Sequence, residues 1–274
     1  RVTGKGYQLA KTLNLLDQQY ISDQLNLSGI NPFIEVHSLI DSTNSYLMRR
    51  LPNQLKHGQV CIAEHQSAGR GRRGRQWVSP FASHIYMSMY WLLEEGMSAA
   101  MGLSVVTALA VSDAIKQLYD IDVQLKWPND IYLDGVKLAG ILIDLEGQMT
   151  EECHCVIGLG LNLLMPKQSF DQIDQPWTEL QAHCDIPIDR NELTVALIES
   201  LTARLKSHHG NNQTMIAEWQ KLDLYYNQQV KIITGQNETL GICRGINHQG
   251  ALMLEVNQQI NPIYGGEVSL RKVQ

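Results

Sequence analysis

The chain has 274 residues, 44% of them hydrophobic and 18% charged, with a formal charge of −6. That length supports one large domain plus a small one, and the acidic balance argues against the broad basic surface of a non-specific nucleic-acid binder. No apolar run is expected to reach the roughly 18 residues that span a bilayer, and no signal peptide is evident. Five scattered cysteines (Cys61, Cys153, Cys155, Cys184 and Cys243) read as reduced thiols, so a cytoplasmic location is expected. The chain begins at Arg1 rather than Met, which implies residues upstream.

In chain order, residues 12–27 carry helical apolar spacing at Leu13, Leu16, Tyr20 and Leu27. Asp41, Ser42 and Thr43 are N-cap candidates for a short helix in "DSTNSYLMRRL". "QVCIAEHQ" and "HIYMSMYW" read as strands on either side of an arginine-rich loop. Residues 98–119 predict one long buried helix. "VQLKW" and "IYL" are strands around "PND", and Asp134-Gly135 is a two-residue hairpin turn into the strand "VKLAGILIDLE". In the next strand, "CHCVIGLGLNL", alternation puts Cys153 and Cys155 on one face and His154 on the other, which disfavours a metal site there. Residues 164–177 are polar, broken by Pro166 and Pro176, and predict a mobile loop. Asp189 and Glu192 form a capping box ahead of "ELTVALIESLTARLKSHH". After residue 226 only short strands and Gly/Asn/Gln turns remain, which predicts a small β-barrel docked on the larger domain.

The loop "AGRGRRGRQW" puts Arg70, Arg72, Arg73 and Arg75 among Gly69, Gly71 and Gly74. It formally matches G-x-G-x-x-G, but the "RQWVSPF" that follows is no helix start, so the dinucleotide reading is rejected. There is no G-x-x-x-x-G-K-[ST] either. What remains is an anion-holding loop: arginines for carboxylate or phosphate, glycines for close backbone approach, flexible when empty. A solvated basic turn is the plain alternative. Trp77 and Trp127 read as core or pocket wall.

"DSTN", "AEHQSAGRGRRGRQWVSPF", "KWPND", "KLAGIL", "GLGLN" and "YGGEVSLR" occur in the order seen in bacterial biotin–protein ligases. The chain is similar to them from near residue 1 to its end, and most similar to the type that also represses the biotin operon. The resemblance implies an α+β catalytic domain with a mixed sheet, like class II aminoacyl-tRNA synthetases (12–226), and a C-terminal SH3-like β-barrel (227–274). It implies that biotin and MgATP form biotinyl-5′-AMP and pyrophosphate. A lysine on the biotin carboxyl carrier protein subunit of acetyl-CoA carboxylase then takes the biotinyl group. By resemblance Ser42, Thr43, Asn44, Gln66, Gly69, Arg70, Gly71, Arg72, Lys137 and Gly140 bind biotin. Arg72, Asn129, Asp130, Lys137, Asn162 and Trp177 bind the nucleotide, with Asp130 placing Mg²⁺. Lys137, Arg72 and Arg70 carry the catalysis. No tightly bound metal is expected, and a homodimer formed on adenylate binding is an expected partner.

One departure concerns the N-terminal winged helix–turn–helix of the bifunctional type, of which "RVTGKGYQLA" resembles only the last wing strand and exit (1–11). Operator binding is expected only where that unit is present. Two alternatives stay open on the residues: a lipoate or other acyl–protein ligase of the same fold, and a phosphate- or nucleic-acid-binding regulator that uses the arginine loop.

Overall fold

The computed structural model describes residues 13–148, 151–167, 169, 173, 175–208, 213–265 and 268–273. The expected wing remnant 1–11 and part of the loop 164–177 lie outside the described residues.

A seven-stranded mixed sheet forms the larger body. Its strands are β1 (Ile34–His37), β2 (Val60–Ala63), β3 (Ile85–Leu93), β4 (Gln124–Lys126), β5 (Asp130–Leu133), β6 (Val136–Gly147) and β7 (Cys153–Leu161), in the order β1-β2-β3-β7-β6-β5-β4. Only β1 and β2 run parallel; the other neighbours are antiparallel. Asp134 (φ 51) and Gly135 (φ 75) both take the left-handed conformation, the turn the sequence predicts between β5 and β6.

Helices cover the sheet. α1 (Gln18–Leu27) is shorter than its apolar spacing suggests. Asp17 caps it by accepting from the amides of Gln19 and Tyr20, and its buried residues are Ile21 and Leu25, while Leu27 is exposed. The preceding Leu16 instead gives its amide to Glu64 Oε1 at 2.6 Å. α2 (Thr43–Met48) starts at Ser42 as expected. The predicted helix 98–119 is two pieces: a short turn, Met97–Ala100, then α3 (Leu103–Tyr119), separated by Gly102 at φ +81. Against expectation, this stretch is long and apolar enough to cross a membrane by composition, but most of it is buried inside the fold. α4 (Arg190–Ser207) packs on α3, capped by Asp189, which accepts from the amides of Asn191 and Glu192. A further helix, α5 (Gln213–Leu222), was not predicted.

Buried Arg190 bonds Glu64 Oε2 and the carbonyl of Asn14 at 2.7 Å each, and the carbonyl of His84 at 2.9 Å. This ties the start of α4 to the chain before α1. Burial lowers the pKa of His84 to about 3, so it stays neutral.

The C-terminal strands β8 (Gln229–Thr234), β9 (Asn237–Ile246), β10 (Leu252–Val256), β11 (Gln259–Ile263) and β12 (Val268–Lys272) form an antiparallel sheet in the order β11-β10-β9-β8-β12. Its apolar face, with Val230, Ile232, Leu252, Leu254 and Leu270, belongs to the same core cluster as α3. Trp127 Nε1 donates to the carbonyl of Gly250 at 2.9 Å. A Cβ on Gly250 (φ +72) would lie 2.6 Å from the Cα of Gly102, so the start of α3 and the β9–β10 turn touch backbone to backbone.

Candidate active site

A cleft opens between the arginine loop, the start of α2, the β5–β6 hairpin, β7 and the C-terminal strand β12. It gathers Ser42, Thr43, Asn44, Gln66, Arg70, Gly71, Arg72, Asn129, Asp130, Lys137 and Gly140 from positions spread over a hundred residues.

Its floor follows from register. Ser88, Gly158 and Leu142 stand opposite one another on β3, β7 and β6; Tyr86, Gly160 and Gly140 form the next such row. The glycines strip this patch of side chains. A Cβ on Gly158 would fall 2.0 Å from Asn44 Oδ1, and one on Gly160 would fall 2.5 Å from the Trp77 indole. Trp77 lies on the Gly140–Gly160 pair, with a Gly140 Cβ position 3.0 Å from its ring. The two glycines of "GLGLN" therefore make room, one for Asn44 and one for Trp77.

The polar end of the floor comes from α2 and the loop. Ser42 both caps α2 and lines the cleft. Gln66 Oε1 accepts from Thr43 N at 2.9 Å, and Gln66 Nε2 donates to Ser79 Oγ at 3.1 Å. Ser42, Thr43, Asn44 and Gln66 are all buried.

The arginine loop closes on itself. Gly71 N donates to Arg75 O and Trp77 N to Gly69 O, both at 2.8 Å, around a tight turn at Arg72–Gly74. Gly69 was expected to let the backbone approach a ligand. A Cβ there would instead lie 2.4 Å from the Trp77 carbonyl, so the loop's own closure requires the glycine. Arg70 forms a two-pronged ion pair with Asp144, at 2.9 and 3.3 Å. Arg72 Nη1 donates to Asn129 Oδ1 at 2.7 Å, and burial lowers its pKa.

Lys137 sits at the charged end, its Nζ 2.7 Å from Asp130 Oδ1 and 5.6 Å from the Trp77 ring centre. Its ammonium end is mostly buried, not on an exposed strand face. The cause is a one-residue irregularity: Ile131 pairs with Ala139, yet Tyr132 pairs with Lys137, leaving Leu138 extra on β6. This bulge resets the alternation, so Lys137 and Gly140 share the cleft face although they are three residues apart.

Two expected residues stand differently. Asn162 is buried but does not line the cleft; its Nδ2 holds the carbonyl of Thr178 at 3.1 Å. Trp177 pairs through its backbone with Lys137, and Thr178 N donates to Lys137 O at 2.8 Å, placing this segment at the rim beside Gln175.

Sequence reasoning missed several cleft residues. Lys126, the first residue of "KWPND", is only 7% exposed and donates to Tyr132 Oη at 2.9 Å. Burial lowers its pKa to about 8, only partly offset by the charge of Asp130. Its signal was the alternation of β4, which turns Lys126 inward. Arg75 from the loop and Arg271 from β12 also line the cleft. Ser88 and Asp144 were not singled out either. Among the described residues no group of three or more His, Cys, Asp or Glu could hold a metal ion. Asp130 is a single carboxylate, a donor set suited to Mg²⁺ that arrives already bound to nucleotide phosphates.

Residues 36–162 match the biotin/lipoate A/B protein ligase family, and residues 225–271 match the biotin protein ligase C-terminal domain. The chain is 44% identical over 274 residues to the bifunctional ligase/repressor BirA of Salmonella typhimurium, covering 100% of this chain and 84% of that protein. This chain belongs to the biotin–protein ligases. It is also 32% identical over 260 residues to the biotin–[acetyl-CoA-carboxylase] ligase of Mycobacterium tuberculosis, covering 92% of this chain and 95% of that one. Among solved structures, the biotin protein ligase from Aquifex aeolicus in complex with biotin and ATP superposes with a TM-score of 0.74 at 26% identity. That match covers 88% of this chain and 99% of the Aquifex chain. As a biotin–protein ligase, the chain pairs the expected mixed-sheet catalytic body with a C-terminal β-unit.

Proposed function

We infer that this chain activates biotin with MgATP and transfers it to a lysine of a biotin carboxyl carrier protein, with residues 12–226 as catalytic domain and 227–274 as barrel. The observation that carries this reading is the polarity of one cleft. An uncharged hydrogen-bonding floor (Ser42, Thr43, Gln66) adjoins a cluster of cations (Arg72, Arg75, Lys126, Lys137, Arg271). Biotin has the same two ends, a cyclic urea and a carboxylate, and ATP adds a triphosphate beyond the carboxylate.

In the first step a biotin carboxylate oxygen attacks the α-phosphorus and pyrophosphate leaves. Attack brings two anions together, so preorganised cations aimed at the developing charge lower the barrier. On this reading Lys137 meets the carboxylate and the α-phosphate. Lys126, Arg75 and Arg271, on the same reading, take the leaving phosphates, and Asp130 would hold the Mg²⁺ of the nucleotide, which would offset phosphate charge. Arg72, braced by Asn129, holds the loop over the mixed anhydride and keeps water from it. In the second step the neutral lysine amine of the carrier attacks the acyl carbon, AMP leaves, and the nitrogen loses a proton.

ATP–pyrophosphate exchange measured with biotin, with lipoate and with neither acid tests this. Exchange that needs biotin supports the reading. Exchange driven by lipoate and not by biotin replaces it with the sister activity on the same fold.

A further inference from the structure

Asn44 lies over Gly158 with its amide between two groups that can only accept. Its Nδ2 is 3.1 Å from the carbonyl of Leu142 and 3.0 Å from Asp144 Oδ2. The amide nitrogen must therefore face β6, which turns Oδ1 toward β3, where Ser88 Oγ lies 2.5 Å away. Ser88 is fully buried and has one hydroxyl hydrogen. An amide oxygen cannot donate, so that hydrogen goes to Asn44. Ser88 Oγ is also 2.7 Å from Thr43 Oγ1, and this contact needs a hydrogen that only Thr43 can supply. Thr43 Oγ1 is 3.2 Å from Gln66 Oε1, the longer of its two options. Its hydrogen is thus committed to Ser88, and its lone pairs are left for the cleft.

Gln66 is fixed from the other side. The hydroxyl of Ser79 donates to the carbonyl of Trp77 at 3.0 Å, so Ser79 Oγ accepts from Gln66 Nε2. Gln66 Oε1 takes the amide of Thr43, and the second amide hydrogen remains to be offered. The floor thus presents an acceptor at Thr43 and a donor at Gln66. A urea needs both, because its N–H donates and its carbonyl accepts.

We propose that Asp144, which does not line the floor, is a positioning residue that sets the hydrogen-bond direction of the relay Asp144–Asn44–Ser88–Thr43 and so makes Thr43 an acceptor for a ureido N–H. This rests on the biotin reading. The same carboxylate grips Arg70 of the loop, so one side chain anchors the loop and orients the floor.

The test is a double-mutant cycle read by calorimetric titration of the full chain with biotin. Asp144→Asn removes the charged acceptor and leaves only the Leu142 carbonyl to hold the Asn44 amide in this sense, and is expected to weaken biotin binding about tenfold, the scale of one hydrogen bond. In a Thr43→Val background, where no hydroxyl remains to orient, the same change is expected to cost less than about threefold. Asp144→Glu keeps an acceptor and should restore most of the affinity. Asp144→Asn should still weaken binding in an Arg70→Ala background. Additive costs for Asp144→Asn and Thr43→Val overturn the relay, as does a loss confined to chains that retain Arg70. If Asp144→Asn fails to fold by thermal melting, Ser88→Ala cuts the same relay and must show the same coupling to Thr43. Wild-type chain that binds biotin normally while the costs add overturns the relay alone; wild-type chain that does not bind biotin overturns both readings.

Discussion

Lys137 and Asp130 face each other across the β5–β6 hairpin, Nζ to Oδ1 at 2.7 Å, and both are largely shielded from water. On the proposed reading, a biotin carboxylate entering this end of the cleft would compete with Asp130 for the same ammonium. Asp130 fixes the position of the lysine Nζ, so little reorganisation is needed to present it to a substrate. Lys137→Met keeps the stem and removes the charge. Adenylate formation, measured as biotin-dependent pyrophosphate exchange, is expected to fall by roughly 10²–10³-fold. Biotin affinity and transfer from preformed biotinyl-AMP should fall less, since catalysis rewards what is stronger in the transition state. Near-normal exchange in a folded variant removes Lys137 from the chemistry.

Arg72→Gly removes the bond to Asn129 and frees the loop. One charge-assisted hydrogen bond contributes roughly 1.5–3 kcal/mol, or about 10- to 150-fold in retention. The variant is expected to make adenylate and lose it, labelling bystander lysines with little selectivity. Release as slow as wild type, followed by quenched-flow, refutes this role for Arg72.

Lys126 supplies a pH dependence with a definite sign. Its pKa is lowered to about 8, so the folded site loses this cation as pH rises through 8. kcat/KM for ATP should therefore fall above pH 8, and Lys126→Met should flatten that limb while lowering its plateau. Stability moves the opposite way. Between pH 8 and the ordinary 10.5 the unfolded chain holds a proton that the folded chain has lost, so this residue makes the ligand-free protein more stable as pH rises across that window. A kcat/KM profile unchanged by Lys126→Met sinks the assignment.

Gly160→Ala drives a methyl group into Trp77, whose ring atoms lie 2.5 to 2.8 Å from the new Cβ. Overpacking of this kind costs typically about 1–3 kcal/mol. The displaced indole should also disturb Lys137, whose Nζ lies over that ring, so melting temperature and exchange rate should fall together. Gly74→Ala is the contrast: nothing lies within 4 Å of its Cβ position, and only its φ of +70 opposes the change.

Much of this was legible because the chemistry sits in contiguous runs. The arginine loop, the Asp134-Gly135 turn and the cap at Ser42 each announce themselves through local rules. The inward aim of Lys137 did not, because it depends on an extra residue at Leu138 that only pairing with β5 reveals. Ser88 and Asp144 were invisible for a related reason. They read as ordinary strand positions until register sets Ser88 beside Gly158 and Asn44 bridges to Asp144. α5 escaped because its buried stripe, Met215 and Trp219, lies in a helix shorter than the window over which helical spacing stands out. Residues 98–119 read as one helix because Gly102 is tolerable within a helix, and only its positive φ marks the break.

The contact between Gly102 and Gly250 bears on exchanging modules. With Gly250 packed 2.6 Å from the Gly102 Cα at its Cβ position, and Trp127 reaching the Gly250 carbonyl, the two bodies are keyed to each other atom by atom. A C-terminal unit grafted from a relative onto this chain will seat only if its β9–β10 turn brings a left-handed glycine to that point. A graft carrying any side chain there will stand off from the start of α3, and whatever residue it brings to the position of Arg271 will be drawn away from the cleft. Such chimeras should fold as two intact pieces yet lose affinity for nucleotide, uncoupling the integrity of each part from the activity of the whole.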